Sequence, residues 1–167
     1  INSYFCDNLP ISDKERIIAD VVTKYHHRLY WMFGWGLWYK IANFAKGISV
    51  EFLVECLEKA KSDANDYDLM FILDLMCGIK ETHLSLQQIK NVKDAIRPLV
   101  EFKSSSVRYN AVKILTKFTD EDNVKYLMQL FADTSSIADK SLIELLLETL
   151  YPKYITITDV FNKIVQY

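Results

Sequence analysis

Three tryptophans, Trp31, Trp35 and Trp38, stand at i, i+4 and i+7, a spacing that puts their rings on one face of a helix. Indole rings grouped in this way can anchor a partner, because large aromatic side chains dominate interface energetics, or they can fill a core. Tyr30, Phe33, Leu37, Ile41 and Phe44 form a second apolar face on the same stretch. A helix that is apolar nearly all round is buried on both sides. Gly34 and Gly36 interrupt it, each costing roughly 1 kcal/mol of helix stability against alanine, and they permit close packing. Two outcomes stay open: packing within the first helical hairpin, or a stripe that docks an upstream domain or a partner.

The titratable residues form no pattern that catalysis requires. His26 and His27 are adjacent, so on a helix they point in different directions, whereas a metal pair needs i, i+4 spacing. His83 stands alone. No Gly-rich phosphate loop, nucleophile elbow or HExxH motif is present. The acid clusters Asp13/Glu15, Asp66/Asp68 and Asp120/Glu121/Asp122 each fall where a helix begins, where the helix dipole accounts for them. Neither a catalytic residue, a cofactor site nor a metal site is therefore expected. Cys6, Cys56 and Cys77 are scattered and odd in number, and the last two sit within apolar helical patterns. They read as structural thiols of a reducing compartment, which points to the cytoplasm.

The elements that must position these residues are helical. In 167 residues, half of them hydrophobic, there is enough apolar material for a real core. Four glycines and three prolines are too few for the turns of a many-stranded sandwich or barrel. A net charge of −2 argues against a chain whose main task is to hold nucleic-acid phosphates. The run 29–39 is aromatic-rich but about half the length that spans a bilayer, so no membrane segment is expected. The chain starts at Ile1 without a secretory leader, and we expect a fragment of a longer protein.

Apolar spacing predicts about nine helices in four to five antiparallel hairpins. The first starts after Pro10 and Ser12, and the second covers 27–45 and stops near Gly47. Ser49 caps a third with the stripe Phe52, Leu53, Cys56, Leu57 and Ala60. Leu69 to Met76 continue helically. Pro98 should bend or break the helix that starts near Leu86. Further helices are expected from Val107 to Phe118, through Val124, Leu127, Met128 and Phe131, and from Ile137 to Leu150, where Pro152 ends the run. Thr158 is expected to cap a last helix that packs through Phe161, Ile164 and Val165.

Two stretches 30 positions apart repeat one another. Ser105 and Ser106 precede Val107, Ala111 and Leu115; Ser135 and Ser136 precede Ile137, Ser141 and Leu145. Serines that can cap, a branched apolar residue, a small residue four positions on and a leucine four after that recur at the period of stacked helical hairpins. Over about 86–150 the chain resembles HEAT repeats, whose second helix opens with a turn Asp, a Val-Arg pair and an Ala four residues after the Val. Val107, Arg108, Ala111 and Leu115 match that pattern, and Asp133 occupies the turn position of the next unit. The resemblance implies an all-α fold, a right-handed α–α superhelix (a HEAT-like solenoid), as a single domain over 1–167. Within it, 1–47 is a divergent first hairpin with the tryptophan helix, 48–84 a second hairpin, 85–150 the clearest repeats and 151–167 a capping helix.

In HEAT repeats the turn Asp and the helix Arg bond within and between units as a ladder. Here Lys103 stands where Arg108 would find its own turn acid, and Ala138 stands where Asp133 would find its Arg, so the expected pair is Arg108 with Asp133 across the repeat boundary. The resemblance further implies a protein-binding scaffold, with Tyr109, Lys113 and Lys117 as outward contact residues beside the tryptophan stripe. Its partner would be another protein or an upstream domain, as in the helical tails of NACHT-type signalling NTPases. Two alternatives remain: a HEAT-like DNA glycosylase using Trp35 and Trp38, and a module that self-associates through Trp31, Trp35 and Trp38. Against the first, Arg108, Lys113 and Lys117 lie along one helical side but the next unit offers Ala138, Ile143 and Leu147, so no continuous basic groove is expected.

Overall fold

The computed structural model describes residues 9–25, 46–63, 65–133 and 140–165. Among these residues every regular element is helical: eight α-helices, a π-helical turn and two 3₁₀ turns, with no strand. The protein is all-α over this span. Its contacts divide the chain into two compact units, Ile1–Ala95 and Ile96–Tyr167.

In the first unit, α1 (Ile11–Asp20) continues into the π-helical turn Val21–Tyr25. The helix starts two residues before Asp13, because the Pro10 carbonyl accepts from the Asp13 and Lys14 amides at 3.1 Å each. Helix α2 (Val50–Ser62) starts where expected: the Ser49 hydroxyl accepts from the Phe52 amide at 3.2 Å, satisfying one of the unpaired amides of the first turn. Gly47 in the preceding turn has φ 89°, a left-handed conformation that glycine adopts without a steric penalty.

Helix α3 (Asp66–Met76) starts three residues ahead of the expected Leu69, capped by Asn65, whose side chain accepts from the Tyr67 amide at 3.0 Å. It packs on α2. Ile18, Leu53, Leu57, Leu69, Ile72, Leu73, Leu75 and Met76 are wholly or almost wholly buried. After a 3₁₀ turn at Glu81–His83, α4 (Leu86–Ile96) opens on a reciprocal cap. Ser85 Oγ accepts from the Gln88 amide at 3.2 Å while Gln88 Oε1 accepts from the Ser85 amide at 2.8 Å. Helix α4 ends at Ile96, and Pro98 sits in the 3₁₀ turn Arg97–Glu101, so the expected proline break falls at this junction.

In the second unit, α5 (Ser105–Leu115) packs on the Arg97–Glu101 turn and on α7, and α6 (Glu121–Ala132) packs on α7 (Lys140–Leu150). The stripe Val107, Ala111 and Leu115 is wholly buried. Val107 and Leu115 each contribute on the order of 1.5–3 kcal/mol by leaving water. The serines do not cap as expected. Ser104 holds the N-cap position without a side-chain hydrogen bond, and Ser105 and Ser106 are exposed in the first turn.

The second copy of the repeat pattern also departs from expectation. Ser141 is exposed and Leu145 half-buried, while α7 buries Leu142, Leu146 and Leu150. With Leu142, Ile143, Leu145, Leu146, Leu147 and Leu150 on one helix, the apolar period can be read in adjacent registers. Packing selects the register one residue beyond the self-match. Within α6, Val124, Leu127 and Phe131 are buried but Met128 is exposed. A turn with a cis Tyr151–Pro152 bond leads to the last helix, α8 (Ile157–Val165). Its cap is Thr156 instead of Thr158: Thr156 Oγ1 accepts from the Asp159 amide at 3.3 Å, and Asp159 Oδ2 accepts from the Thr156 amide at 2.7 Å.

Candidate functional site

Trp31, Trp35 and Trp38, with His26, His27 and Cys6, lie outside the described residues. The remaining candidates belong to the second unit. On α5, Tyr109 is half-buried and Lys113 exposed, with Lys117 half-buried in the turn beyond the helix end. These three follow one another at intervals of four, and Val107, Ala111, Val112, Ile114 and Leu115 hold the opposite side of the helix in the core.

Arg108 is held by its own loop. Its Nη1 donates to the Phe102 carbonyl at 2.8 Å and to the Lys103 carbonyl at 3.0 Å, so the guanidinium closes the turn that precedes α5. Lys103 thus supplies its backbone oxygen to this side chain. Asp133 is exposed just beyond the end of α6.

The α5–α6 turn is fastened by a residue that pattern reading passes over. Asn123 is 0 % exposed, in the first turn of α6. Its side-chain amide donates to the Leu115 carbonyl at 2.7 Å and to the Phe118 carbonyl at 2.8 Å. The last carbonyls of a helix have no partner within it; that of Leu115 accepts from Asn123 and from the Phe118 amide at 3.1 Å, and the second Asn123 bond holds the turn carbonyl of Phe118. The Asn123 amide in turn donates to Asp120 Oδ1 at 3.1 Å. Asp120 is therefore a cap, as the expected role of the acid cluster requires.

Its neighbour Asp122 accepts from Arg97 Nη2 at 2.6 Å, and the same guanidinium lies 4.6 Å from the centre of the Tyr126 ring. Asp122 and Tyr126 are one helical turn apart on α6, so a single arginine from the 3₁₀ turn engages both. Burial raises the Tyr126 hydroxyl above its ordinary value; Arg97 opposes this shift and Glu101 adds to it.

Other polar groups of the described residues also have partners or are buried. Asp13 pairs with Arg16 at 3.1 Å. Glu51 on α2 accepts from Gln88 on α4 at 2.8 Å, and that bond is the first cause of its lowered carboxyl pKa. Burial, with the Glu55 carboxylate adding to it, pushes the Cys56 thiol up to about 11, so it is a small hydrophobe at neutral pH. Among the described residues no group of three or more His, Cys, Asp or Glu is placed to hold a metal ion, and no helix is long and apolar enough to cross a membrane.

One surface departs from what the sequence suggests. The sequence places Phe161, Ile164 and Val165 on the packing side of the last helix; the Ile164 side chain lies outside the described residues, and Ile157 is 55 %, Phe161 61 % and Val165 83 % exposed. These residues recur at intervals of four and so share one side of α8. Tyr151, in the turn before it, is also exposed. Scattered exposed apolar residues are ordinary on a protein surface, whereas a row of three on one helical face is not. No protein-family model, curated protein or solved structure matches this chain.

Proposed function

We propose that the chain is a non-catalytic protein-binding scaffold, a HEAT-like solenoid segment wound as a right-handed α–α superhelix within a larger cytoplasmic protein. The single observation that carries this reading is the apolar row Ile157, Phe161 and Val165 left in water on α8. Two further features support it. Asp120 caps α6 and Asp122 ties it to the Arg97 turn, and the buried stripe Val107, Ala111 and Leu115 has the spacing of a HEAT second helix. Contact extends to Tyr109, Lys113 and Lys117 on α5, and to Trp31, Trp35 and Trp38 on the evidence of their spacing alone. The regulatory or sensor role, as in a NACHT-type NTPase, rests on the family resemblance.

The test places a photo-crosslinking side chain at position 161 of the full-length protein in its own cells, with a control at the exposed Lys140. The expected result is one discrete crosslinked protein species, reduced about tenfold by the double substitution Ile157→Ser and Val165→Ser, as expected for loss of about 1.4 kcal/mol of apolar anchoring. A product with the mass of two copies would assign the face to self-association. Crosslinks indistinguishable from those at Lys140 would sink the proposal. Duplex DNA binding with a steep salt dependence would instead favour a nucleic-acid-binding repeat.

A further inference from the structure

We draw no further inference here: the strongest candidate, the apolar face of Ile157, Phe161 and Val165 on α8, is the surface on which the proposed function already rests, and nothing in the structure shows what covers it.

Discussion

Asn123, in the first turn of α6, donates its side-chain amide to the carbonyl of Leu115 at the end of α5, 2.7 Å away, with no part of the residue exposed. The same amide reaches Phe118 O, so one side chain closes the end of one helix from the start of the next. This arrangement ties the α5–α6 turn to both helices through buried hydrogen bonds. Asn123→Ala removes two buried hydrogen bonds, although the Leu115 carbonyl keeps the bond from the Phe118 amide at 3.1 Å, and should destabilise the fold by about 1–3 kcal/mol. Asn123→Asp should cost more at neutral pH, since a carboxylate offers no proton to either carbonyl. Urea unfolding of both variants measures this; a loss below about 0.5 kcal/mol for Asn123→Ala would show that the turn does not depend on it.

Arg108 closes the preceding turn through Phe102 O and Lys103 O. Arg108→Met should cost about 1–3 kcal/mol, and Arg108→Lys should recover only part of it because the lysine side chain is one bond shorter than the reach to Nη1, which donates both bonds. The expected ladder with Asp133 is separable from this role. A double-mutant cycle of Arg108→Met with Asp133→Asn should give a coupling of roughly 0.5 kcal/mol if the two side chains interact. Strict additivity would remove the ladder while leaving the turn role intact.

Tyr126 is held in its neutral form first by burial, with Arg97 lying over its ring and partly opposing the shift. A group that loses its proton less readily when folded contributes stability below its unfolded pKa, and that contribution disappears as pH rises through the folded value. The protein should therefore lose stability above about pH 10, the ordinary tyrosine value. Tyr126→Phe should show a smaller loss over the same range. Thermal unfolding against pH checks this, with tyrosinate absorbance following the ionisation; equal slopes in both proteins would refute it. Asp122→Asn should cost less than about 1 kcal/mol, since its carboxylate is largely exposed at 69 %.

Asp159 is shifted in the opposite direction. Its hydrogen bonds with the Thr156 side chain and then the Thr156 amide lower its pKa. The stabilisation of the α8 start is present above the ordinary aspartate value and is lost as pH falls through the lowered one. Backbone NMR shifts of Ile157 to Phe161 should therefore move toward coil on acidification. Asp159→Asn should abolish the pH dependence, and Thr156→Val should reduce it. Shifts that move equally in wild type and Asp159→Asn would show that the cap does not govern the helix start.

Much of the element order was legible because it depends on local chemistry. Ser49, Asp120 and Pro98 act where their own side chains or ring dictate, within a few residues of the backbone they control. The Ser85/Gln88 and Thr156/Asp159 caps obey the same rule, and their spacing of three was available as a signal. What the chain alone determined is an all-helical core with its turns in sequence order, since apolar period and capping are properties of neighbours along the chain.

Tertiary structure decided the rest. Pattern alone does not distinguish Leu142, Leu146 and Leu150 from the register through Leu145, because α7 is apolar on several sides and only contact with α5 and α6 selects one. Asn123 reads as an ordinary polar residue of a first turn until the fold removes it from water and points it at another helix. The amphipathic pattern of α8 is the same whether its apolar side is covered or bare. Burial depends on what approaches from elsewhere in space, and only the folded chain shows Phe161 standing in solvent.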